Sequence, residues 1–158
     1  MKKSRVLFVC LGNICRSPTA HGVFETLAAQ QGLAGVIDVD SAGTAAYHVG
    51  NPPDSRSIGA AAERGYQLDH LRARQATPED FSEFTHILAM DEENLHNLKA
   101  IAPPDYAGHL GLFLDFAQCV EREVPDPYYG GDAGFGHVLD LVENAAFGLL
   151  LKLQQAPR

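Results

Sequence analysis

The stretch from Cys10 to Pro18, which reads CLGNICRSP, constrains the fold more than any other part of the chain. A short apolar run leads into it and predicts a buried strand over residues 5–10, whereas Thr19–Gln30 has the apolar spacing of a helix. Ser17 is typical of a helix N-cap and Pro18 of a first helical residue. A tight loop is therefore expected between strand and helix. Its backbone N–H groups and the helix N-terminus would form an anion-binding site.

Cys10 and Arg16 are the reactive side chains of this loop, and they stand in a Cys-x5-Arg pattern. Loop N–H dipoles, a helix N-terminus and a guanidinium each favour the thiolate of Cys10, which is the nucleophilic form. Arg16 is a planar fork that can bind two phosphate oxygens, and the Ser17 hydroxyl can hydrogen-bond the thiolate. The spacing alone is weak evidence, since a buried cysteine near a surface arginine would also produce it. The strand before and the helix after make the pattern specific.

The Cys10–Pro18 stretch resembles the phosphate-binding loop of the low-molecular-weight protein tyrosine phosphatases. The later sequence Asp126-Pro127-Tyr128-Tyr129 is similar to the acid loop of that family, and the resemblance covers nearly the whole chain. It implies hydrolysis of phosphotyrosine in proteins, and of small aryl phosphates, through a cysteinyl-phosphate intermediate. The implied catalytic residues are Cys10, Arg16 and Asp126. The implied phosphate-binding residues are Leu11, Gly12, Asn13, Ile14, Cys15, Arg16 and Ser17.

The resemblance also implies supporting roles around the loop. It implies that Asn13, Ser17, Ser41 and His70 support the loop, with Ser41 and His70 hydrogen-bonding the Asn13 side chain. It implies that Cys10 and Cys15 form a reversible disulfide, although Cys15 is equally compatible with a small buried hydrophobe. The implied walls of the substrate crevice are Leu11, Tyr47, His48, Tyr128 and Tyr129, and simple packing of these aromatic residues on their own loops is the alternative.

The rest of the chain alternates strands with helices. Predicted strands cover residues 36–43, 84–90 and 110–116, and predicted helices cover residues 54–64, 91–101 and 133–154. This order predicts a single α/β domain over residues 1–158, a three-layer sandwich with a small parallel sheet of about four strands. The second strand alternates in polarity, which favours an edge position. Ligands bind at the carboxyl ends of such strands, where Cys10 lies.

Composition narrows the class of partner. The formal net charge is −8, which argues against binding to nucleic acid or to an anionic membrane surface. The chain has three cysteines in no framework spacing, so a reducing, cytoplasmic location is expected. Cys10, Cys15 and His21 lack a fourth ligand nearby, so neither a metal nor a cofactor is expected. The expected partners are a tyrosine-phosphorylated protein or peptide and a bound phosphate or other oxyanion. The expected assembly is a monomer or a weak dimer.

Three other functions share parts of this pattern. Arsenate reductases on the same scaffold need two further cysteines, and only Cys119 lies outside the loop. Protein-arginine phosphatases resemble this loop but carry Thr where Ile14 stands and Phe where Tyr128 stands, so these two positions favour phosphotyrosine. A non-catalytic phosphoprotein-binding module would not require Cys10, Arg16 and Asp126 together.

Overall fold

Four parallel strands form the sheet, in the order β2-β1-β3-β4. The structure is a computed structural model that describes residues 3–127 and 132–155. The strands are β1 (Ser4–Cys10), β2 (Ile37–Gly43), β3 (His86–Ala89) and β4 (His109–Leu112). The predicted sheet is confirmed, and β2 occupies an edge as its alternating polarity indicated. All four carboxyl ends lie at one rim, with Cys10 at the end of the central strand β1.

Helices cover both faces of the sheet. They are α1 (Arg16–Gln30), α2 (Ser55–Glu63), α3 (Asp80–Glu83), α4 (Glu92–Ile101) and α5 (Asp132–Gln155). On β1, Val6 and Phe8 join the core cluster that includes α1 and α5, whereas Leu7 and Val9 join the cluster on the opposite face. A strand buried on both faces reads as a continuous apolar run, which explains the sequence before Cys10.

Helix α1 begins earlier than its sequence predicts. Its first residue is Arg16, and Cys15 occupies the N-cap position without a side-chain cap hydrogen bond. The assignment of Ser17 as the N-cap was therefore wrong. The Ser17 hydroxyl instead lies within 3.0 Å of the Cys10 sulfur and accepts a hydrogen bond from the Asn13 amide. The hydroxyl does not cap the helix because it interacts with the buried Cys10 thiol and the buried Asn13 amide instead.

The predicted fourth strand over residues 110–116 was half wrong. Strand β4 ends at Leu112, and a 3-10 helix follows over Phe113–Phe116. Phe113 and Leu114 are consecutive, yet both belong to the cluster on the α5 side of the sheet. A strand would point them to opposite faces, so only a helical turn can bury both. Short apolar runs do not distinguish these two conformations.

Helix α5 is apolar because it packs inside the domain. Within the described residues, Gly134–Gln155 is the one helical stretch long and apolar enough, by length and composition, to cross a membrane. Half of that stretch is buried in the folded domain, and α5 packs along α1 and the 3-10 helix. Core packing therefore accounts for its composition.

Gly148 allows the close approach of α5 to the 3-10 helix. A Cβ at this position would overlap the carbonyl oxygen of Phe116, which is backbone and cannot rotate away. We expect Gly148→Ala to lower the free energy of unfolding by at least about 2 kcal/mol, because overpacking outweighs the better helix propensity of alanine. Urea denaturation measures this change.

Gly136→Ala, also on α5, is the matched control. A Cβ at Gly136 would meet only the Arg64 guanidinium, at an ordinary contact distance of 3.9 Å. We expect this control to be neutral or to gain up to about 1 kcal/mol. Equal losses in both variants would contradict the close-approach argument.

Candidate active site

The loop after β1 has its carbonyl oxygens bonded to neighbouring segments. The oxygen of Cys10 accepts a hydrogen bond from Thr44 N at 2.9 Å, and that of Leu11 accepts one from Ala45 N at 3.0 Å. Further along, the oxygen of Ile14 accepts a hydrogen bond from the N–H of Asp54 at 2.8 Å. With these oxygens occupied, the loop N–H groups are the polar atoms left to meet a bound anion.

Gly43 lets the end of β2 approach this loop. A Cβ on Gly43 would lie 2.7 Å from the carbonyl oxygen of Leu11 and 3.1 Å from the carbonyl carbon of Gly12. Only the absence of a side chain permits this contact. The loop therefore has β2 directly behind it, and its curvature is supported by the neighbouring strand as well as by its own sequence.

Asn13 holds the loop in a left-handed turn. Its φ is 58°, the one positive φ among the non-glycine residues described, and asparagine tolerates this conformation better than most residues. The buried side chain is held at both ends. Nδ2 donates to Ser17 Oγ at 2.7 Å, and Oδ1 accepts from the backbone N–H of Arg74 at 3.0 Å. Ser17 and Arg74 thus hold the Asn13 side chain in place.

The expected hydrogen bonds from Ser41 and His70 to Asn13 do not occur among the described residues. Ser41 Oγ lies 3.0 Å from His21 Nδ1 instead, behind the loop, and His70 is exposed. The physical reason is that the two polar ends of the Asn13 amide are occupied by Ser17 and Arg74. From the sequence, His21 was considered only as a metal ligand. Its position one helical turn after Ser17 was the sequence signal that it lies near the loop.

Cys10 lies at the base of the loop with 3% of its surface exposed. Its sulfur accepts a hydrogen bond from Asn13 N at 3.3 Å and lies 3.0 Å from Ser17 Oγ. A sulfur atom in this position can accept a hydrogen bond from each of the two groups. The sulfur therefore lies at the bottom of the cleft with a fixed orientation, which is a geometry that suits a nucleophile.

Arg16 is buried beside Cys10 and fixed by groups that are distant in the sequence. Nη1 donates to Asp91 Oδ2 at 2.7 Å and to the carbonyl oxygen of Val124 at 3.1 Å. Burial disfavours the charged guanidinium, but the neighbouring Cys10 and Asp91 side chains outweigh it and raise the pKa of Arg16. The sequence indicated Asp91 only as the start of a helix. Its place directly after a buried strand was the signal that it belongs to the site.

Asp126 comes to the same cleft from the far end of the chain. Its Oδ2 atom lies 3.7 Å from Arg16 Nη2, and its side chain is 39% exposed. The carboxyl group therefore lines the cleft at a partly exposed position, whereas the thiol is buried. This is the position from which a carboxylic acid can reach a leaving group that points out of the cleft.

Cys15 is the second thiol of the cleft. It is buried, and burial is the main cause that raises the pKa of its thiol to about 12. Negative charge at Asp54 and Cys10 acts in the same direction. Cys15 is thus a protonated thiol at neutral pH.

A cleft of about 300 Å³ joins these side chains, and Tyr47 and His48 form part of its wall. The Tyr47 side chain is 75% exposed, and the His48 ring lies against Gly12, where a Cβ would approach its Cδ2 atom to 2.9 Å. Tyr128 and Tyr129, also expected in the wall, lie outside the described residues. The cleft is lined by Cys10, Leu11, Gly12, Ile14, Cys15, Arg16, Tyr47, His48 and Asp126.

Comparisons with known proteins agree with this geometry. Residues 5–158 match the sequence model of a family described as low molecular weight phosphotyrosine protein phosphatase. The low molecular weight protein-tyrosine-phosphatase YfkJ of Bacillus subtilis is 41% identical over 151 residues, which cover 95% of this chain and 96% of that protein.

Solved structures show the same fold. A protein tyrosine phosphatase from Entamoeba histolytica with Hepes in the active site superposes with a TM-score of 0.93 at 41% identity, over 97% of this chain and 98% of that one. The Drosophila arginine phosphatase DARP superposes with a TM-score of 0.89 at 29% identity, over the full length of both chains.

Proposed function

The chain belongs to the low molecular weight protein tyrosine phosphatase family, and from that premise we propose that it cleaves phosphotyrosine through a cysteinyl-phosphate intermediate. The observation that carries the proposal is the cleft in which Cys10, Arg16 and Asp126 converge. A buried sulfur with two hydrogen-bonding neighbours, a fixed guanidinium and a half-exposed carboxyl group are the parts that such a reaction needs. Small aryl phosphates fit the same chemistry, because only the phosphate and the aryl oxygen take part in it.

In the first step, the Cys10 thiolate attacks phosphorus. A sulfur–phosphorus bond forms while the bond from phosphorus to the tyrosine oxygen breaks. The loop N–H groups and Arg16 neutralise the equatorial oxygens as charge redistributes in a loose transition state. Because Asp91 and Val124 hold Nη1 of Arg16 in place, this stabilisation needs no reorganisation during the reaction.

Asp126 supplies the proton that the leaving phenolate requires. In its acid form it protonates the aryl oxygen, and tyrosine leaves as a neutral phenol. The resulting carboxylate then takes a proton from the water that attacks the cysteinyl-phosphate. Orthophosphate is released, and the Cys10 thiolate is regenerated. The Ser17 hydroxyl, 3.0 Å from the sulfur, stabilises that thiolate as it leaves.

The walls of the cleft suit a flat aromatic substrate. Leu11 and Tyr47 offer apolar surface beside the loop, and His48 borders the same space. A phenyl ring standing above the phosphate would pack between such walls, and a protein substrate would extend past the exposed Tyr47. We assign these residues to recognition of the tyrosyl group.

The strongest competing function is phosphoarginine hydrolysis, since an arginine phosphatase shares the fold over its full length. Ile14 lines the cleft and brings apolar surface next to the loop that would bind the phosphate. A guanidinium leaving group would require a polar partner near that position, whereas a phenyl ring would not. Ile14 therefore supports the assignment of phosphotyrosine as the substrate.

The test is a comparison of two peptides of identical sequence, one carrying phosphotyrosine and the other phosphoarginine. Initial rates of orthophosphate release are measured with EDTA present, so that contaminating metal-dependent phosphatases are inactive. We expect kcat/KM to favour phosphotyrosine by about tenfold or more, as pocket contacts to one group commonly allow. A preference for phosphoarginine would keep the fold and overturn the substrate assignment. Absence of turnover on both peptides would favour the phosphoprotein-binding module.

We also propose that Cys10 and Cys15 protect the site from irreversible oxidation. A peroxide converts the Cys10 thiolate to a sulfenic acid and is itself reduced. The Cys15 sulfur then displaces hydroxide from that sulfenic acid, and its proton leaves with the hydroxide as water. Both sulfurs line one cleft, which supports the pairing.

A cytoplasmic location, a monomer or weak dimer, and the lack of nucleic acid or membrane partners stay predictions.

A further inference from the structure

We propose that Arg74 is a positioning residue for the phosphate-binding loop, acting through Asn13 while lying outside the cleft. The proposal rests on the phosphatase activity proposed above. Arg74 is not among the residues that line the cleft. The structure shows a guanidinium held between two carboxylates and a backbone N–H directed at the loop.

The guanidinium of Arg74 is fixed on two sides. Nη1 and Nη2 donate to the two carboxylate oxygens of Asp80, each at 3.1 Å, which is a bidentate pair. Nε donates to Asp40 Oδ2 at 3.1 Å, and Nη2 lies equally close to it. Asp80 is buried, and its Oδ2 also accepts the backbone N–H of Thr77 at 2.9 Å. The arginine thereby joins β2, which carries Asp40, to the start of α3.

We call the Arg74 side chain and its partners Asp40 and Asp80 the clamp. The backbone of Arg74 connects this clamp to the loop. Its N–H donates to Asn13 Oδ1 at 3.0 Å. Its carbonyl oxygen accepts from Gly43 N at 2.8 Å, and Ala76 N donates back to Gly43 O at 2.8 Å. The segment therefore pairs with the end of β2 at the point where β2 supports the loop. A side chain locked at Asp40 and Asp80 prevents this short segment from shifting away from Asn13.

Asn13 needs a fixed donor because its backbone conformation is unfavourable for a residue with a side chain. Its φ of 58° is less favourable than an ordinary backbone conformation even for asparagine, so surrounding contacts help to maintain it. The Oδ1 atom depends on Arg74 N, and Nδ2 depends on Ser17, which also contacts the Cys10 sulfur. A shift at Arg74 would thus move the N–H of Asn13, which is itself a donor to that sulfur.

Loosening the clamp should affect kcat more than KM. Bound substrate keeps its contacts with Arg16 and the remaining loop N–H groups, whereas the transition state depends on the accurate placement of the sulfur and its donors. We expect Arg74→Met to lower kcat by about tenfold and to change KM by less than about twofold. Arg74→Lys keeps the charge but loses the bidentate fork, so its kcat should lie between those of wild type and Arg74→Met.

Arg72→Met is the matched control. Arg72 lies two positions away, is exposed, and donates to the carbonyl oxygens of Asp69 and Leu71 in its own turn. It has no hydrogen bond to the loop among the contacts described. We expect its kcat to stay within about twofold of wild type, as is usual for surface substitutions.

A double-mutant cycle with Asn13→Ala tests whether Arg74 acts on the loop through Asn13. Because the effect of Arg74 passes through Asn13 Oδ1, the double variant should be no slower than Asn13→Ala alone, a deviation from additivity that marks coupled residues. If the two losses multiply, Arg74 acts on catalysis by another route and the proposal is overturned. If Arg74→Met does not fold, Asp40→Asn takes its place in the cycle, since it weakens one side of the clamp and leaves the Asp80 pair.

Hydrogen exchange separates failure of this inference from failure of the proposed function, because it needs no turnover. In Arg74→Met, we expect faster amide exchange in peptides covering residues 10–16, with unchanged exchange in β3 and α5, and no such change in Arg72→Met. Unchanged exchange in residues 10–16 would overturn the positioning role even if wild type hydrolyses phosphotyrosine. Faster exchange confined to those residues would support the role even if wild type lacked turnover.

Discussion

Cys10→Ser is expected to lower kcat for a phosphotyrosine peptide by at least about 10⁴-fold, as loss of a covalent nucleophile does in other enzymes. The hydroxyl occupies the same place but ionises far less readily than a thiol. Its near neighbours are Ser17 Oγ and Asn13 N, neither of which can serve as a general base. Orthophosphate affinity, measured by calorimetry, should stay within about threefold, because Arg16 and the loop N–H groups remain.

Cys119→Ser is the control for this prediction. Cys119 is exposed, and its sulfur contacts the carbonyl oxygen of Glu121 well away from the cleft. We expect no change in kcat for this variant. Turnover by Cys10→Ser above about 1% of wild type would mean that another group attacks phosphorus, and the two-step mechanism would have to be abandoned.

Asp126→Asn is expected to lower kcat for phosphotyrosine by about 10²- to 10³-fold, the range of a general acid. Asparagine keeps the shape of the side chain 3.7 Å from Arg16 but has no proton to donate to the phenolate. A substrate with a weakly basic leaving group, such as 4-nitrophenyl phosphate, needs that proton less. The variant should therefore form the cysteinyl-phosphate from 4-nitrophenyl phosphate with much less slowing than from phosphotyrosine.

Stopped-flow measurement on 4-nitrophenyl phosphate tests both roles of Asp126. Because the second step still lacks its base, the variant should release a burst of about one equivalent of nitrophenolate before a slow steady state. Asp105→Asn, an exposed residue in the turn after α4, is the control and should match wild type. Equal slowing of both substrates without a burst would argue that Asp126 acts on binding and not on proton transfer.

The part of the site that could be predicted from the sequence is contiguous. A strand, a loop with glycine and asparagine, and a helix start predict an anion site that contains Cys10 and Arg16, because these features depend on near neighbours in the chain. The same local reasoning located β2 at an edge of the sheet.

The errors lie where a local pattern had more than one solution. Ser17 has the residue type of an N-cap, but a thiol and an amide that fold against it use its hydroxyl. The residue types of Phe113 and Leu114 suit a strand. Both side chains are buried on the α5 side of the sheet, however, which a strand does not allow. The family resemblance implied a support role for His70 and Ser41, yet His70 is exposed and Ser41 contacts His21 instead.

By itself, the sequence determined a parallel α/β sheet and a loop after its first strand that carries the Cys10 thiol and the Arg16 guanidinium. Only the tertiary structure decided what holds those groups. Asn13 is anchored by a residue 61 positions away, and Arg16 by residues 75 and 108 positions away. The physical reason is that conformation and dipoles along a loop are set by adjacent residues, whereas hydrogen-bond partners are chosen by which strand ends meet at one rim. That choice depends on strand order and helix packing, which no short pattern encodes.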